Sequence, residues 1–343
     1  MPNDKKHPDV ILAGDVGGTN TRLALVTKTE EDDLGQRFRI DHLQTFMSAR
    51  YAGLQVVIKE FLSQRQVMVS RLCVGVAGPV KAGRCAAMNL PWLIDAHELG
   101  ETTQIDHVTV INDLEAGAFG ISCLGPNDLI EINMGAPDAR GNGAVVSPGT
   151  GLGEAGMYWD GRQHHPFATE GGHADFAPRN ELEYELHRYL RQTFEHVSYE
   201  RVVSGPGLVN IYRFLRDTGR GEEPPWLRDE MKESDPAACI SSAAMDGRSL
   251  LCEQAVDMFL EVFGAEAGNM ALNVMAWGGV WLGGGIVVKV LSRLRESGAF
   301  MKGFLDKGRL RGFMNDVPVR AIVNPHTAIL GAARYGFDVN RNT

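Results

Sequence analysis

Twice along this chain an apolar run enters a glycine-rich turn and a second apolar run leaves it. Residues 10–13 lead into a turn over 14–20 and out through 23–26; residues 143–146 lead into a turn over 147–153 and out through 155–159. Short apolar runs bounded by turn residues read as strands, so each unit is a strand, a tight turn and a strand. The residues of the two units differ, so the repeat is a duplication of architecture and not of sequence. A chain of 343 residues usually divides into two domains. The two copies say how this one divides.

Between and after these units, strand-like and helix-like patterns alternate. A helical period with Leu54, Val57, Ile58, Phe61 and Leu62 on one face spans 53–66, and β-type runs follow at 72–76 and 108–111. The second of these ends in Asn112-Asp113, and from Leu114 the sequence turns helical. Asn180, with Glu183 three residues on, is an N-cap signal for a helix that places Leu182, Leu186, Tyr189 and Leu190 inward. Ser204 opens another helix, with Leu208, Ile211, Tyr212 and Leu215 inward and Gly219 as its stop. A long helix over 248–275 carries Gly264, Ala265, Ala267, Gly268 and Ala271. Small residues there admit either a neighbouring backbone or a flat ligand. Strand 280–282, a triple glycine, helix 286–294, strand 317–323 and helix 328–335 complete the series. The class is α/β.

Composition narrows the setting. Hydrophobic residues at 44% and charged residues at 22% are ordinary for a soluble globular chain. A net charge of −9 argues against nucleic acid as a partner, because binding it needs a dense basic face that releases counterions. The nearest basic cluster is Lys302, Lys307, Arg309, Arg311 and Arg320; glycines and acids interrupt it, and it reads as solvated surface. Five scattered cysteines, none in a CxxC spacing, suit reduced thiols in the cytoplasm and offer no zinc framework. The polar start MPNDKKHPD lacks the apolar core of a signal peptide, and no apolar run is long enough to span a bilayer. The expectation is a cytoplasmic protein with neither a membrane nor a nucleic-acid partner.

Five groups of residues carry chemistry. The first is Asp15-Val16-Gly17-Gly18-Thr19-Asn20-Thr21-Arg22. Consecutive glycines permit positive φ and bring backbone N–H groups against an anion, as a phosphate site requires. Thr19 and Asn20 add side-chain donors, and Asp15 can hold a magnesium ion, directly or through water. The second is Ser147-Pro148-Gly149-Thr150-Gly151-Leu152-Gly153. Residues 151–156 satisfy GxGxxG, yet that dinucleotide fingerprint needs a helix after the glycines, and Met157-Tyr158-Trp159 reads as strand. The P-loop pattern GxxxxGK[ST] is absent too. A second phosphate-gripping hairpin remains, with Thr150 as its hydroxyl donor.

The third group is Asn112-Asp113. At a strand end, an aspartate can take a proton from an attacking hydroxyl and the amide beside it can bind a neighbouring hydroxyl. A helix N-cap explains the pair equally well. The fourth is Glu170-Gly171-Gly172-His173 with Glu200 further on; each carboxylate can accept from two hydroxyls of a polyhydroxylated ligand. A metal is the competing reading, but no third ligand lies nearby and His164-His165 sits in a loop-like stretch, so no metal-ligating residue is assigned. The fifth is Gly283-Gly284-Gly285 between a strand and a helix, which admits close approach of an adenine or ribose.

Taken in order, the segments DVGGTNTR, NDLEAGAFGI, PGTGLG, EGGHADFAPRN, HVSYERVVSGPGLVNIYR and LGGGIV closely resemble the bacterial glucokinase family, from Leu12 to about Tyr335. EGGHxDFAP followed by ERVxSGPGLxNxYR is highly specific, whereas LGGGI is shared widely among sugar kinases. The resemblance implies an α/β fold of two ribonuclease-H-like (actin-like ATPase) domains with a cleft between them. Residues 8–120 with 328–343 would form the small domain and 121–327 the large one. It also implies transfer of the γ-phosphoryl of ATP, with Mg2+, to the 6-hydroxyl of glucose at the entry to glycolysis, by a homodimer.

Residue by residue, Asp113 matches the family's catalytic base, and Asn112, Glu170, His173 and Glu200 match the groups that hold the other sugar hydroxyls. Asp15, Gly17, Gly18, Thr19 and Asn20 match one phosphate motif; Gly149, Thr150, Gly151 and Gly153 match the other; Gly283, Gly284 and Gly285 match the adenosine segment. The related group with a cysteine-rich zinc motif is a poorer match, since no cysteine follows His173 until Cys239. Two departures from the family pattern are Ser147, where glycine or alanine is common, and Leu114, which replaces a frequent phenylalanine. The rival readings are a kinase for mannose or fructose, a sugar sensor that kept the fold without the chemistry, and an actin-like chaperone or cytoskeletal ATPase. ADP or polyphosphate in place of ATP is a further alternative.

Overall fold

The computed structural model describes residues 10–29, 38–65, 67–87 and 90–339. The polar start on which the expectation of no leader rests lies outside them, as does Gln66 at the end of the first expected helix. The chain forms two compact units. One runs to Leu129 and takes in the segment from Asn324 onward; the other is Ile130–Val323.

The first unit contains, in chain order, β1 (Val10–Val16), β2 (Asn20–Lys28), β3 (Phe38–Met47), α1 (Leu54–Ser63) and β4 (Arg71–Val76). A small antiparallel ribbon of β5 (Arg84–Ala86) and β6 (Leu93–Asp95) follows, then α2 (Ala96–Thr103), β7 (His107–Asn112) and α3 (Asp113–Ile121). The sheet order is β3-β2-β1-β4-β7, antiparallel among the first three and parallel among the last three. Side chains alternate along β1 and so sort by face. Leu12 and Val16 cluster with Leu54, Val57, Ile58 and Phe61 of α1. Ile11 and Ala13 cluster with Ala116 of α3 and with Ile329, Ala332 and Ala333 of the C-terminal helix Thr327–Val339. Helices therefore cover both faces. Two glycines let α3 and the C-terminal helix close up: a Cβ on Gly120 would strike the Thr327 carbonyl, and one on Gly331 the Ala116 carbonyl.

The second unit contains β9 (Gly143–Pro148), β10 (Leu152–Trp159) and β11 (His164–Thr169), joined at the sheet edge by β8 (Leu129–Asn133). Helices α4 (Glu181–Leu190), α5 (Gly205–Asp217), α6 (Pro225–Glu233), α7 (Pro236–Met245) and α8 (Leu250–Val274) come next. Then follow β12 (Gly279–Leu282), α9 (Gly285–Lys289), α10 (Leu291–Glu296), α11 (Ala299–Leu305), α12 (Arg311–Asp316) and β13 (Val319–Ile322). The sheet order is β11-β10-β9-β12-β13-β8. Without β8 it matches the first sheet strand for strand, three antiparallel and then parallel through β12 and β13. The duplication suggested by the two glycine turns is present as topology. Helix α8 is apolar nearly all round and buried accordingly, with Phe259, Phe263 and Ala267 in the core. Its small residues admit a backbone: Gly264 lies against the Phe300 carbonyl of α11, and Gly303 of α11 against the Glu261 carbonyl.

Several elements differ from expectation. Both hairpin strands run further into their turns, because Val16 pairs with Thr21 and Leu152 with Pro148. The single helix expected over 286–294 breaks at Val290, whose backbone (φ −106, ψ 17) leaves the helical region. His164 and His165 lie on β11, not in a loop. His164 Nε2 is 3.0 Å from the Gly141 carbonyl and His165 Nε2 is 2.7 Å from Asp160 Oδ2. Leu182, expected inward, is 37% exposed. Glu183 takes the inward position, neutralised by Arg179. Lys307, grouped with solvated cations, is half-buried: its Nζ donates to the Ala265 carbonyl at 2.9 Å and to Asn269 Oδ1 at 2.7 Å.

Candidate active site

In the first unit, the turn between β1 and β2 has Gly18 and Thr19 at its tip. Gly17 N–H closes it by donating to the Asn20 carbonyl at 3.0 Å. Ser48 buckles it from outside. Its N–H donates to the Thr19 carbonyl (3.0 Å), its Oγ donates to the Gly17 carbonyl (2.9 Å), and the buried Thr21 Oγ1 lies 3.0 Å from that Oγ. None of the glycines in either phosphate turn takes a left-handed φ, which corrects the expectation of positive φ. What they supply is the absence of a side chain. Asp15 pairs with Arg22 across the ladder, with Arg22 Nε 3.8 Å from Asp15 Oδ2 and 24% of the aspartate side chain exposed. Burial raises the Asp15 carboxyl above its ordinary range, and the Arg22 charge offsets part of that rise. Arg22 is itself anchored by donating to the Pro325 carbonyl at 2.9 Å.

Asn112 ends β7 and caps α3. Its Oδ1 accepts from the N–H groups of Leu114 (2.9 Å) and Glu115 (3.2 Å), and Nδ2 donates to the Gly78 carbonyl at 3.1 Å. A primary amide has two N–H donors, so a second hydrogen is left for a hydroxyl. Asp113 is the first residue of α3, and its Oδ1 accepts from the Leu114 N–H at 2.9 Å. The amide caps the helix, as the N-cap reading of this pair expects, and the cap makes Asp113 the helix's first residue. Gly75 of β4 lets the helix start sit down on the sheet, since a Cβ there would meet Asp113 Cα at 3.3 Å. Buried Cys85 lies close by; burial first and the Asp113 charge second push its thiol up.

In the second unit, the turn between β9 and β10 has Thr150 at its tip. Gly149 N–H donates to the Gly151 carbonyl (2.7 Å), and the Gly149 carbonyl accepts from Gly205 N–H (2.8 Å) at the start of α5. The cap of α5 is Ser204, whose Oγ donates to the Glu200 carbonyl (2.6 Å) and accepts from Gly207 N–H (3.0 Å). Beside the turn opens a cavity of about 550 Å3, walled by Gly149, Thr150, Gly205, Pro206, the start of α7 at Pro236 and Ala237, and Gly285, Ile286 and Lys289. Its volume suits a small-molecule cofactor. The expected adenosine glycines divide. Gly284 has φ +88 and lies against the Pro148 carbonyl, while a Cβ on Gly283 would meet Ser147 Oγ at 3.1 Å. Both pack on the end of β9, and Gly285 lines the cavity. Ser147, one of the two departures, is therefore a packing partner of those glycines.

Glu170 and His173 bracket a single 3-10 turn, Gly171–His173; both are exposed (66% and 50%), with His173 Nε2 3.9 Å from Glu170 Oε2. The two glycines let this turn lie down on β10. A Cβ on Gly172 would strike the Leu152 carbonyl, and one on Gly171 the Glu154 carboxyl. Glu200 reaches the same strand start: its Oε2 accepts the Leu152 N–H at 3.1 Å and lies 2.5 Å from where a Cβ on Gly151 would be. Tyr199 N–H donates to the Ala174 carbonyl at 3.0 Å, tying the two segments together. Glu170, His173 and Glu200 thus gather around Leu152, just past Thr150, while Asn112 and Asp113 belong to the other unit. Sequence reasoning missed Ser48, the tie from Gly149 to α5, and the α7 wall. The SGPG cap was legible, but not what it anchors. Among the described residues, no group of three or more His, Cys, Asp or Glu is placed to hold a metal ion.

A family model of glucokinases matches residues 12–338. The chain belongs to the glucokinase family. A glucokinase of Nostoc punctiforme is 37% identical over 338 residues, covering 94% of this chain and 98% of that one. The crystal structure of a glucokinase from an Antarctic psychrotroph matches with a TM-score of 0.82 at 33% identity, over 97% of this chain and 100% of the other. A ROK family glucokinase from Streptomyces griseus, solved with glucose and AMPPNP, matches with a TM-score of 0.63 over 96% of this chain and 99% of that one. At 19% identity it shows the common fold alone. The α/β architecture with its duplicated sheet is that of the actin-like sugar kinases. No helix among the described residues is long and apolar enough to cross a membrane.

Proposed function

We propose that this member of the family is an ATP-dependent glucose kinase that transfers the γ-phosphoryl group to the sugar's 6-hydroxyl. One observation carries the reading to these residues: Glu200 accepts the Leu152 N–H directly behind the second glycine turn. A carboxylate suited to sugar hydroxyls and a turn suited to phosphate are one hydrogen-bonded assembly. A nucleotide alone gives no reason for the exposed Glu170 and His173 beside it.

The geometry supports the following roles. Asp113, aimed by the Asn112 cap, orients the 6-hydroxyl and accepts its proton; the transition state is loose, so positioning is most of the task. The remaining Asn112 amide hydrogen, Glu170, His173 and Glu200 take the other hydroxyls. The tips at Gly18-Thr19 and Thr150 take phosphate oxygens, and the cavity beside α5 and α7 takes the adenosine. ATP as donor is what membership of the glucokinase family implies, and the cavity beside the second turn has a volume that suits its adenosine. Asp15, a single part-exposed carboxylate beside a phosphate turn, fits Mg2+, which keeps several waters and is held largely by substrate phosphates. The ion would neutralise charge on the transferred group. The two compact units serve as the family's two domains, and a homodimer in the cytoplasm at the entry to glycolysis completes the proposal.

A coupled assay of glucose, mannose and fructose against ATP, ADP and polyphosphate tests it. Fastest turnover with glucose and ATP supports the reading. ATP hydrolysis indifferent to sugar, or a preference for another hexose or donor, overturns it. Sedimentation velocity tests the dimer.

A further inference from the structure

Glu154 lies on β10, beneath the turn that carries Glu170 and His173, and is 1% exposed. Neither of its carboxyl oxygens finds an N–H or hydroxyl donor. What faces it within hydrogen-bond reach is another carboxyl group, that of Glu266 on α8, itself 4% exposed. Glu266 Oε2 accepts from Asn269 Nδ2 at 2.9 Å. Asn269 Nδ2 also donates to Tyr199 Oη at 3.0 Å, and its Oδ1 accepts from Lys307 Nζ at 2.7 Å. Above the pair, Gly171 lies against Glu154 Oε2 with no room for a Cβ. Thr169 Oγ1 donates to the Glu154 carbonyl at 3.2 Å and accepts from Gly171 N–H at 3.2 Å.

We propose that Glu154 and Glu266 share one proton as a buried acid–carboxylate pair, and that this pair is a positioning element for sugar binding, the floor on which Gly171 sets Glu170 and His173. The inference rests on the reading of that turn as the sugar's. Two carboxylates in contact away from water cannot both ionise, and a single proton between them supplies the donor that Glu154 otherwise lacks. Burial raises both carboxyls, and the Glu266 charge adds to the rise at Glu154. The one negative charge that remains is met through Asn269 by Lys307. The other charged or titratable groups at the cluster are Tyr199 from the segment before Glu200, Arg179 and Glu183 at the start of α4, and Asp306 beside Lys307. Tyr199 adjoins Glu200, so the cluster underlies both sugar-side carboxylates.

As pH rises the shared proton leaves, and two like charges then stand under Gly171. Glucose binding to the full chain should therefore weaken toward pH 9 in wild type. Glu154→Gln, an uncharged isostere of the acid, should match wild-type glucose affinity within about twofold at pH 6.5 and largely escape the alkaline loss. Glu266→Gln should do the same, and Glu154→Ala should lose about tenfold in glucose affinity at both pH values with the KM for ATP unchanged. In ligand-free protein, thermal unfolding should favour Glu154→Gln over wild type by a margin that widens from pH 5 to pH 9. A glutamine variant with the wild-type alkaline loss, one that does not fold at neutral pH, or a margin that does not widen would overturn the proposal. A folded Glu154→Ala variant with wild-type glucose affinity would do so too. A wild type that binds no glucose refutes the functional reading alone, because the unfolding margin tests the shared proton without a ligand.

Discussion

Gly149 and Gly151 stand on either side of Thr150, and alanine at the two positions should have different consequences. A Cβ on Gly149 meets nothing within 4 Å, whereas one on Gly151 would lie 2.5 Å from Glu200 Oε2. Gly149→Ala should leave the unliganded protein as stable as before, within about 0.5 kcal/mol. Its methyl group projects at the cavity wall, so its effect should appear as a raised KM for ATP. In Gly151→Ala the carboxylate must retreat by about 1 Å to reach ordinary contact, which takes the acceptor away from the Leu152 N–H that Glu200 holds at 3.1 Å. A buried N–H left unpaired costs about 1–3 kcal/mol of folding stability, and a sugar-holding group misplaced by about 1 Å can cost about 100-fold in kcat/KM. With Glu200 in the sugar-holding role proposed above, that loss should fall on glucose at least as heavily as on ATP. Steady-state kinetics with each substrate varied, alongside thermal unfolding of the free proteins, separates the two. A folded Gly151→Ala variant with wild-type kcat/KM for glucose, or a Gly149→Ala variant that unfolds several degrees early, would refute the division of labour in this turn.

Three further changes test other parts of the molecule. Asp113→Asn should leave glucose binding measurable by calorimetry and lower turnover by about 10²–10⁴-fold, the range for a general base; near-wild-type turnover would remove Asp113 from that role. Ser48→Ala removes the donor to the Gly17 carbonyl and the partner of Thr21, so it should cost about 1–3 kcal/mol in urea unfolding and raise the KM for ATP. An unchanged KM for ATP would mean that the first turn needs no buckle. Gly120→Ala must part α3 from the C-terminal helix at the Thr327 carbonyl and should cost about 1–3 kcal/mol of overpacking strain; an unchanged urea midpoint would show that the helix pair gives way freely.

What could be read from the sequence was local chemistry. Asn112, Asn180 and Ser204 all cap helices, and each does so with its own side chain accepting backbone N–H groups two or three residues on. The strand–turn–strand units were visible because buried strands make short apolar runs. Strand β3 was not, since among its ten residues Phe46 alone is fully buried and the rest carry little pattern. Short helices such as α11 and α12, of seven and six residues, give a 3.6-residue period too little room to show. The site's supports were hidden for another reason. Ser48 acts on a turn 31 residues earlier, and Glu200 on a strand 48 residues earlier. The glycine turns exposed the limit most directly. Glycine is used both for positive φ and for the absence of a side chain, and only the neighbours in the fold say which.

Those neighbours also show how the two halves diverged on one scaffold. Both sheets run three strands antiparallel and then two parallel, and both place a glycine turn after the first strand. In each, the first glycine's N–H closes the turn, onto Asn20 in one and Gly151 in the other. The turns differ in what braces them. Ser48 braces the first with a neutral hydroxyl that donates to a carbonyl, leaving Asp15 and Arg22 as the charges beside it. The second is braced by a carboxylate that accepts an N–H, and a carboxylate has capacity for more than one donor. A hydroxyl brace has little left to offer a ligand, whereas Glu200 can hold Leu152 and still accept from a sugar. On the proposed function, the same turn serves phosphate alone in one half, and phosphate together with the acceptor sugar in the other, through the choice of one bracing side chain.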